Sequence, residues 1–543
     1  MIYKQTKMRN SIFKGTLLTI TVFFGLFPLQ MVAQIKSPKR EMRGVWIASV
    51  MNLDFPSSNK LSVQAQQQEF IRILDEHAKS KLNAVFVQIR PQTDAFYFSP
   101  YEHWSEWLTG KHGTMPQPYY DPLAFMIAET HARGMEFHAW FNPFRVLTDT
   151  TKAKNLPDTH ITKKQPTWFM DYGRAKLFNP ALPEVRSYIT EVIADVARRY
   201  EIDGVHLDDY FYPYPTENLE INDEKQFLQY GKTFSNKADW RRENINQFVA
   251  QLSQTLKQTK PYLKFGISPF PVWRNQAQDA NGSATTGGLT AYDHLFADTR
   301  LWLSKGWIDY IAPQNYFSHQ SDKVPYKTLT EWWAKNTFGR HLYIGHAVYK
   351  LSGKEDSKWT DKGELKQQLQ LNRQLNLQGS IFYSSKSLTT NLLGFQDSLR
   401  NSLNRHYALL PPMTWKDNIP PPPPTQVEAF SAKEGILLYW KSNQTITDVV
   451  GYVIYRFGKD EVIDIENPSH IIAVHRQEKC VFIDQNLQGN GEYIYVITAL
   501  DRANNESLGS TPTKIQYQDS GSWADFLQTF AQWANLWNKS VTP

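Results

Sequence analysis

The sequence is nearly without cysteine: Cys480 stands alone among 543 residues. One thiol excludes an intramolecular disulfide and any cysteine-based metal cluster. Several familiar chemical signatures are missing as well. There is no glycine-rich phosphate loop, which argues against an open doubly wound nucleotide-binding sheet. There is no Gly-x-Ser-x-Gly elbow for serine nucleophilic chemistry. Neither His-x-His nor His-Glu-x-x-His spacing occurs, so the usual zinc-hydrolase arrangements are absent. Charge of one sign is also scarce. The formal net charge is +6, but Lys4, Lys7, Arg9 and Lys14 sit in one N-terminal stretch, and without them 55 basic residues face 53 acidic ones. A nearly balanced chain with no long basic run argues against nucleic acid as a partner.

Long apolar runs are missing after the first 33 residues. The basic start, the apolar run from Leu17 to Leu29 and the small-residue site Met31-Val32-Ala33 predict a secretory signal peptide over 1–33, with Gln34 opening the mature chain. No cysteine follows the run, so no lipid attachment is expected there. Export without disulfides fits a bacterial periplasmic or secreted protein with no stable membrane insertion after cleavage.

Aromatic residues are plentiful, at 14% of the chain. They punctuate an alternating pattern of strands and helices. Strands are predicted at Gly44–Val50, Ala84–Arg90, Glu136–Asn142, Gly204–Asp209, Lys264–Phe270, Tyr310–Asn315, Leu342–Val348 and Gly379–Ser384. Eight parallel units of this kind predict a (β/α)8 TIM barrel over 39–410. Asp121-Pro122 marks one helix start, with Gly134 at its end, and Asn179-Pro180 marks another. Pro420 to Pro424 predicts a stiff spacer within a linker over 411–425. Beyond it, short alternating strands such as Gly451–Arg456 and Tyr493–Leu500 predict a small all-β sandwich over 426–518. The tail, 519–543, carries Phe526, Phe530, Trp533 and Trp537 at helical spacing.

The most informative stretch runs from Asp203 through Gly204-Val205-His206-Leu207-Asp208-Asp209 to Pro213. Strand alternation sends Val205 and Leu207 toward the helices, and His206 and Asp208 toward the barrel axis. The same rule turns Gln88, Arg90, His138, Trp140, Asn142, Ser268, Gln314 and Tyr316 inward. So many polar groups in one barrel need mutual hydrogen bonds or a ligand, because each unpaired buried group costs about 1–3 kcal/mol. Glycoside hydrolysis needs two carboxyl groups flanking the scissile bond. Asp208 is the best placed. Asp209 should diverge from it unless the strand breaks there, and Asp54, Asp94 and Glu106 are the other carboxylates near the mouth. A metal-dependent hydrolase using His138, His206, Asp208 and Asp209 is an alternative.

Several segments resemble the glycosyl-hydrolase-like family 10 proteins. They are Glu41-Met42-Arg43-Gly44-Val45-Trp46-Ile47, Gln88-Ile89-Arg90-Pro91, His138-Ala139-Trp140-Phe141-Asn142-Pro143, the strand-four stretch, and Ala312-Pro313-Gln314-Asn315-Tyr316. The resemblance implies an exported bacterial barrel that hydrolyses glycosidic bonds, with cell-wall polysaccharide as one substrate class. The second domain resembles a fibronectin type III module, carried by Gly451-Tyr452-Val453-Ile454-Tyr455-Arg456 and Tyr493-Ile494-Tyr495-Val496. Such a module offers a protein or glycan contact and no catalysis. The resulting expectation is a polysaccharide hydrolase without cofactor or metal. Asp208 and Asp209 are its catalytic pair. Arg90, Asp94, His138, Asn142, Arg145, His206, Tyr212, Gln314 and Tyr316 bind substrate. A non-catalytic glycan-binding barrel is the rival reading.

Overall fold

The computed structural model describes residues 37–432, 435–442, 448–476, 480–518 and Ala531. The predicted leader and, apart from Ala531, the predicted tail lie outside these residues. Eight strands close into a parallel barrel in sequential order. They are β1 (Met42–Ile47), β2 (Ala84–Arg90), β3 (Glu136–Phe141), β4 (Gly204–Leu207), β5 (Lys264–Ile267), β6 (Tyr310–Ile311), β7 (His341–Ala347) and β8 (Gly379–Tyr383). All eight predicted strands are present. β4, β5 and β6 stop two to four residues earlier than alternation suggested.

The faces divide as a period of two requires. Val45, Ile47, Val85, Val87, Phe137, Ala139, Val205 and Leu207 join the large core between strands and helices. Met42, Trp46, Phe86, Trp140, Tyr310, Tyr343 and Ile381 fill the barrel interior. Aromatic rings therefore replace the branched aliphatic layers usual in such barrels. Leu410 and Met413, with the half-buried Trp415, complete this inner cluster. Trp415 Nε1 donates to Asp309 Oδ1 at 2.9 Å, which anchors the chain as it leaves the barrel.

Helix ends follow local chemistry. Ser62 caps α1 (Val63–Lys79), accepting from Ala65 N at 3.2 Å. Asp121 caps α2 (Pro122–His131), accepting from Ala124 N at 3.1 Å, and Gly134 turns the chain at φ 72°. α3 (Pro183–Arg199) begins one turn later than Asn179-Pro180 suggested. Asn179 Oδ1 instead closes a local turn by accepting from Ala181 N at 3.0 Å. Glu184 in the first turn and Arg198 and Arg199 in the last complement the helix dipole.

After the barrel come two antiparallel sheets. One holds β9 (Thr425–Ala432), β10 (Gly435–Lys441) and β13 (Val481–Asp484). The other holds β11 (Val449–Gly458), β12 (Ile471–His475), β14 (Gly491–Asp501) and β15 (Thr513–Tyr517). Buried ion pairs tie these sheets to the barrel. Arg476 reaches Asp203 at 2.8 Å and Glu136 at 3.4 Å, and Lys39 reaches Glu506 at 2.7 Å. No helix among the described residues is long and apolar enough to cross a membrane.

Candidate active site

The short fourth strand decides the site. β4 ends at Leu207, so the next two residues leave the alternating pattern and both carboxylates enter one pocket. Asp208, Asp209 and Tyr210 form one side of it. Trp46 and Trp140 come from β1 and β3, Ser268 from the end of β5, Gln314 and Tyr316 from the segment after β6, Tyr349 from after β7, and Tyr383 from the end of β8. The pocket encloses about 610 Å³ including its open mouth. It sits at the C-terminal face of the strands, where barrels of this type carry their chemistry.

Asp208 is held by three donors. Trp140 Nε1 and Asn142 Nδ2 donate to its Oδ2, the first at 3.3 Å, and the Tyr210 amide donates to Oδ1 at 3.3 Å. Asn142 is itself oriented by Gln88, whose Nε2 donates to Asn142 Oδ1 and whose Oε1 accepts from the amides of Ser49 and Val50, both at 2.9 Å. Asp209 accepts from the Tyr214 hydroxyl, while Gln314, which lines the same pocket, donates its Nε2 to the Ser268 carbonyl at 2.9 Å. Burial, reinforced by Asp209, pushes the Asp208 carboxyl up to about 7 against the opposing pull of Arg145 and these donors. Burial also raises the Asp209 carboxyl. The Arg145 guanidinium lies over the Tyr210 ring at 4.4 Å, beside the pair. Two neighbouring carboxyl groups in a low-dielectric pocket cannot both ionise easily, so one proton is retained near neutral pH.

The structure brings Asp208, Asp209, Asn142, Arg145, Gln314 and Tyr316 together. It does not bring the other candidates to the pocket wall. A register shift between β2 and β3 after Gln88 pairs Arg90 with Phe141, so Arg90 loses its inward place. Its guanidinium instead grips Glu102 at 2.6 and 2.8 Å and donates to the Pro143 carbonyl at 3.1 Å. Asp94 staples its own loop, accepting from Ser105 Oγ at 2.5 Å and Gln92 N at 3.0 Å. Tyr212 is sealed against Phe296, with its hydroxyl facing Asn244. His138 and His206 do face the axis, but they lie fully buried and bonded to each other through Tyr310. The remaining carboxylates near the mouth are committed elsewhere. Asp54 accepts from Ala48 N, Ser384 Oγ and Lys386 N, and Glu106 pairs with Lys152 at 2.9 Å.

Four pocket-lining residues, Trp46, Tyr210, Tyr349 and Tyr383, and Tyr214, which bonds Asp209, escaped the sequence reading. Trp46 was within its reach, since Val45 and Ile47 face outward and the same alternation turns Trp46 inward. Tyr383, the last residue of β8, follows from Ile381 in the same way. Tyr349, after β7, and Tyr214, in the loop after β4, carry no local signal. The four donors of the metal-hydrolase alternative, His138, His206, Asp208 and Asp209, do not form a close ligand group, and both ring nitrogens of His206 and of His138 are hydrogen-bonded. Among the described residues, the carboxylates spaced closely enough for an ion are Asp417, Asp448 and Asp501, and none lines this pocket.

The family described as Glycosyl hydrolase-like 10 matches residues 41–361. Glycosyl hydrolase YngK of Bacillus subtilis (strain 168) is 47% identical over 484 residues, covering 87% of this chain and 93% of that protein. Glycosyl hydrolase DigH of Escherichia coli (strain K12) is 39% identical over 375 residues, covering 65% of this chain and 84% of its own length. Among solved structures, the PgaB (BpsB) glycoside hydrolase domain from Bordetella bronchiseptica aligns with a TM-score of 0.44 at 12% identity, over 67% of this chain and 99% of that one. The extent of the family match and of the first of these relatives places this chain in the glycosyl hydrolase-like 10 family.

Proposed function

We propose that this protein is an exported glycoside hydrolase that cleaves O-glycosidic bonds of a polysaccharide, with bacterial cell-wall glycan strands as the substrate class. One observation carries the reading: two adjacent buried carboxyl groups, one of them with its pKa raised to about 7, share a pocket walled mainly by Trp and Tyr. Aromatic faces provide large apolar platforms on which sugar rings stack. A carboxyl group with a raised pKa is protonated when it meets the leaving oxygen, and general acid catalysis requires this.

Asp208 acts as the general acid that protonates the leaving glycosidic oxygen, while water supplies the hydroxyl that takes its place on the sugar. Asp209 is the partner carboxyl that orients the substrate or the attacking group, and Asn142 and Tyr214 hold the pair in register. Arg145, Tyr316 and Tyr383 bind the sugar. The predicted leader directs the chain out of the cytoplasm, and the C-terminal sheets act as a fibronectin type III-like contact module.

The test is hydrolysis of purified cell-wall glycan strands, with and without attached peptides, alongside plant and host glycans. Asp208→Asn and Asp209→Asn should each lose at least a hundredfold in kcat, the scale at which a positioned acid or base contributes. Wild-type turnover by Asp208→Asn on a cleaved substrate would refute the assignment. A second reading, a glycan-binding barrel without catalysis, draws on the carboxylates coming from one strand end while the facing wall of Trp46, Tyr349 and Tyr383 carries none. It predicts glycan binding by calorimetry with no release of reducing ends from any strand.

A further inference from the structure

Beneath the pocket, a line of polar side chains runs down the barrel axis where such a fold ordinarily packs aliphatic groups. We infer that His206, Tyr310 and His138 are positioning residues that form a one-directional column of hydrogen bonds, holding the Trp46 indole in the pocket wall. The column itself stands on the hydrogen-bond geometry; only its kinetic consequence rests on the proposed glycosidase activity.

Its direction follows from the ends. Trp46 Nε1 lies 3.0 Å from His206 Nε2. An indole N–H only donates, so His206 Nε2 accepts and a neutral His206 carries its proton on Nδ1. That Nδ1 lies 3.1 Å from the Tyr310 hydroxyl and donates to it. The Tyr310 proton then goes to His138 Nδ1, also at 3.1 Å. His138 therefore bears its proton on Nε2 and donates to Glu136 Oε2 at 3.0 Å. Glu136 is a carboxylate at the foot, paired with Lys264 and, from the C-terminal sheets, with Arg476. A donor that cannot accept stands at the top and an acceptor that cannot donate stands at the bottom. Every link between them has one permitted orientation. A doubly protonated His138 would give the Tyr310 oxygen two incoming donors and leave its own proton without an acceptor. Ser268 Oγ, 3.0 Å from His206 Nε2 and 3.4 Å from the Leu207 carbonyl, rotates to suit and sets no direction.

The backbone is shaped around these rings. A Cβ on Gly204 would stand 2.3 Å from His138 Nδ1, and one on Gly266 would stand 2.1 Å from the Tyr310 ring. Glycine at these two strand positions is what lets a histidine and a tyrosine occupy the axis. All five column side chains are buried, so each link is costly to leave unmade. Burial also holds the His206 imidazole well below its ordinary pKa.

Long-range proton–nitrogen spectra of the full chain, labelled at histidine and tryptophan, test the column without reference to activity. Signals are assigned by their loss in His206→Gln, His138→Gln and Trp46→Phe. The expected result is an Nδ1–H tautomer for His206 and an Nε2–H tautomer for His138, with His206 unchanged between pH 5 and 8. The opposite tautomer at either histidine, or a His206 imidazolium at pH 6, overturns the proposal. Tyr310→Phe keeps the ring and removes the central link. It should move the Trp46 indole N–H signal and lower kcat/KM on a cleaved glycan by about tenfold or more, the scale of a small misplacement at a reacting centre. An unmoved Trp46 signal, or wild-type kcat/KM in that variant, overturns the positioning role while wild-type cleavage still supports the proposed function. If the wild-type protein cleaves no glycan, the proposed function falls, and the tautomers and the Trp46 signal decide the column on their own.

Discussion

Replacing Asp208 by Asn should change how stability depends on pH, and the amount can be worked out from the site. Burial raises the Asp208 carboxyl from 3.8 to about 7 in the folded protein. A carboxyl whose folded pKa is raised binds its proton more tightly folded than unfolded. It therefore costs nothing well below pH 4, where both states are protonated, and destabilises the fold progressively as pH rises through the unfolded value of 3.8 toward 7. A shift of about three units corresponds to roughly 4 kcal/mol at full ionisation, and sharing of the proton with Asp209 lowers the expected difference to about 2–4 kcal/mol. Asn has no such titration. Its amide nitrogen must face either the Tyr210 amide or the Trp140 and Asn142 donors, which adds an offset of about 1–3 kcal/mol. That offset is independent of pH and cancels in the comparison. Denaturant unfolding of both proteins at pH 4, 6 and 8, followed by tryptophan fluorescence, isolates the titrating part. The variant should gain about 2–4 kcal/mol relative to wild type between pH 4 and pH 8. Parallel stability curves for the two proteins would refute the claim that folding pushes this carboxyl toward neutrality.

Three other outcomes follow from the same geometry. With Asp208 as the acid, kcat/KM should fall above about pH 7 as its proton is lost, and Arg145→Gln should move that limb to higher pH, because Arg145 favours the ionised form; a limb moving to lower pH would contradict this. Arg90→Met leaves Glu102 buried and uncompensated, and should lower stability by about 3–5 kcal/mol in denaturant unfolding. Arg476→Met removes the buried cation that joins the C-terminal sheets to Asp203 and Glu136, and should lower the thermal midpoint and increase proteolytic release of those sheets; an unchanged midpoint would show that the ion pairs do not hold the two parts together.

Asn142 and Gln314 were legible at the site because they stay in phase with their strands. Arg90 was misread because a register shift between β2 and β3, which no local pattern announces, removes it from the inward set. Asp94 and Tyr212 carry the right chemistry, but their partners Ser105 and Asn244 come from other segments, and those contacts turn them to structural use. His138 and His206 were placed correctly on the axis, but depth along the axis is not written in a two-residue period. They lie below the pocket and act on each other.

By itself the sequence determined the eight strands, the face each side chain takes where the strand is regular, the acidic tip of the fourth strand and the change to an all-β pattern after the proline run. These are local properties, set by alternation, capping and turn chemistry within a few residues. Tertiary structure alone decided that both acidic residues share one pocket, that Arg90 is spent on Glu102, that Tyr214 reaches Asp209, and that an indole and a carboxylate fix the proton order between them. Where a strand stops, how two strands slip past each other, and which distant partner satisfies a buried polar group are set by the closure of the barrel, because only the closed barrel brings residues 46, 138, 206 and 310 into contact.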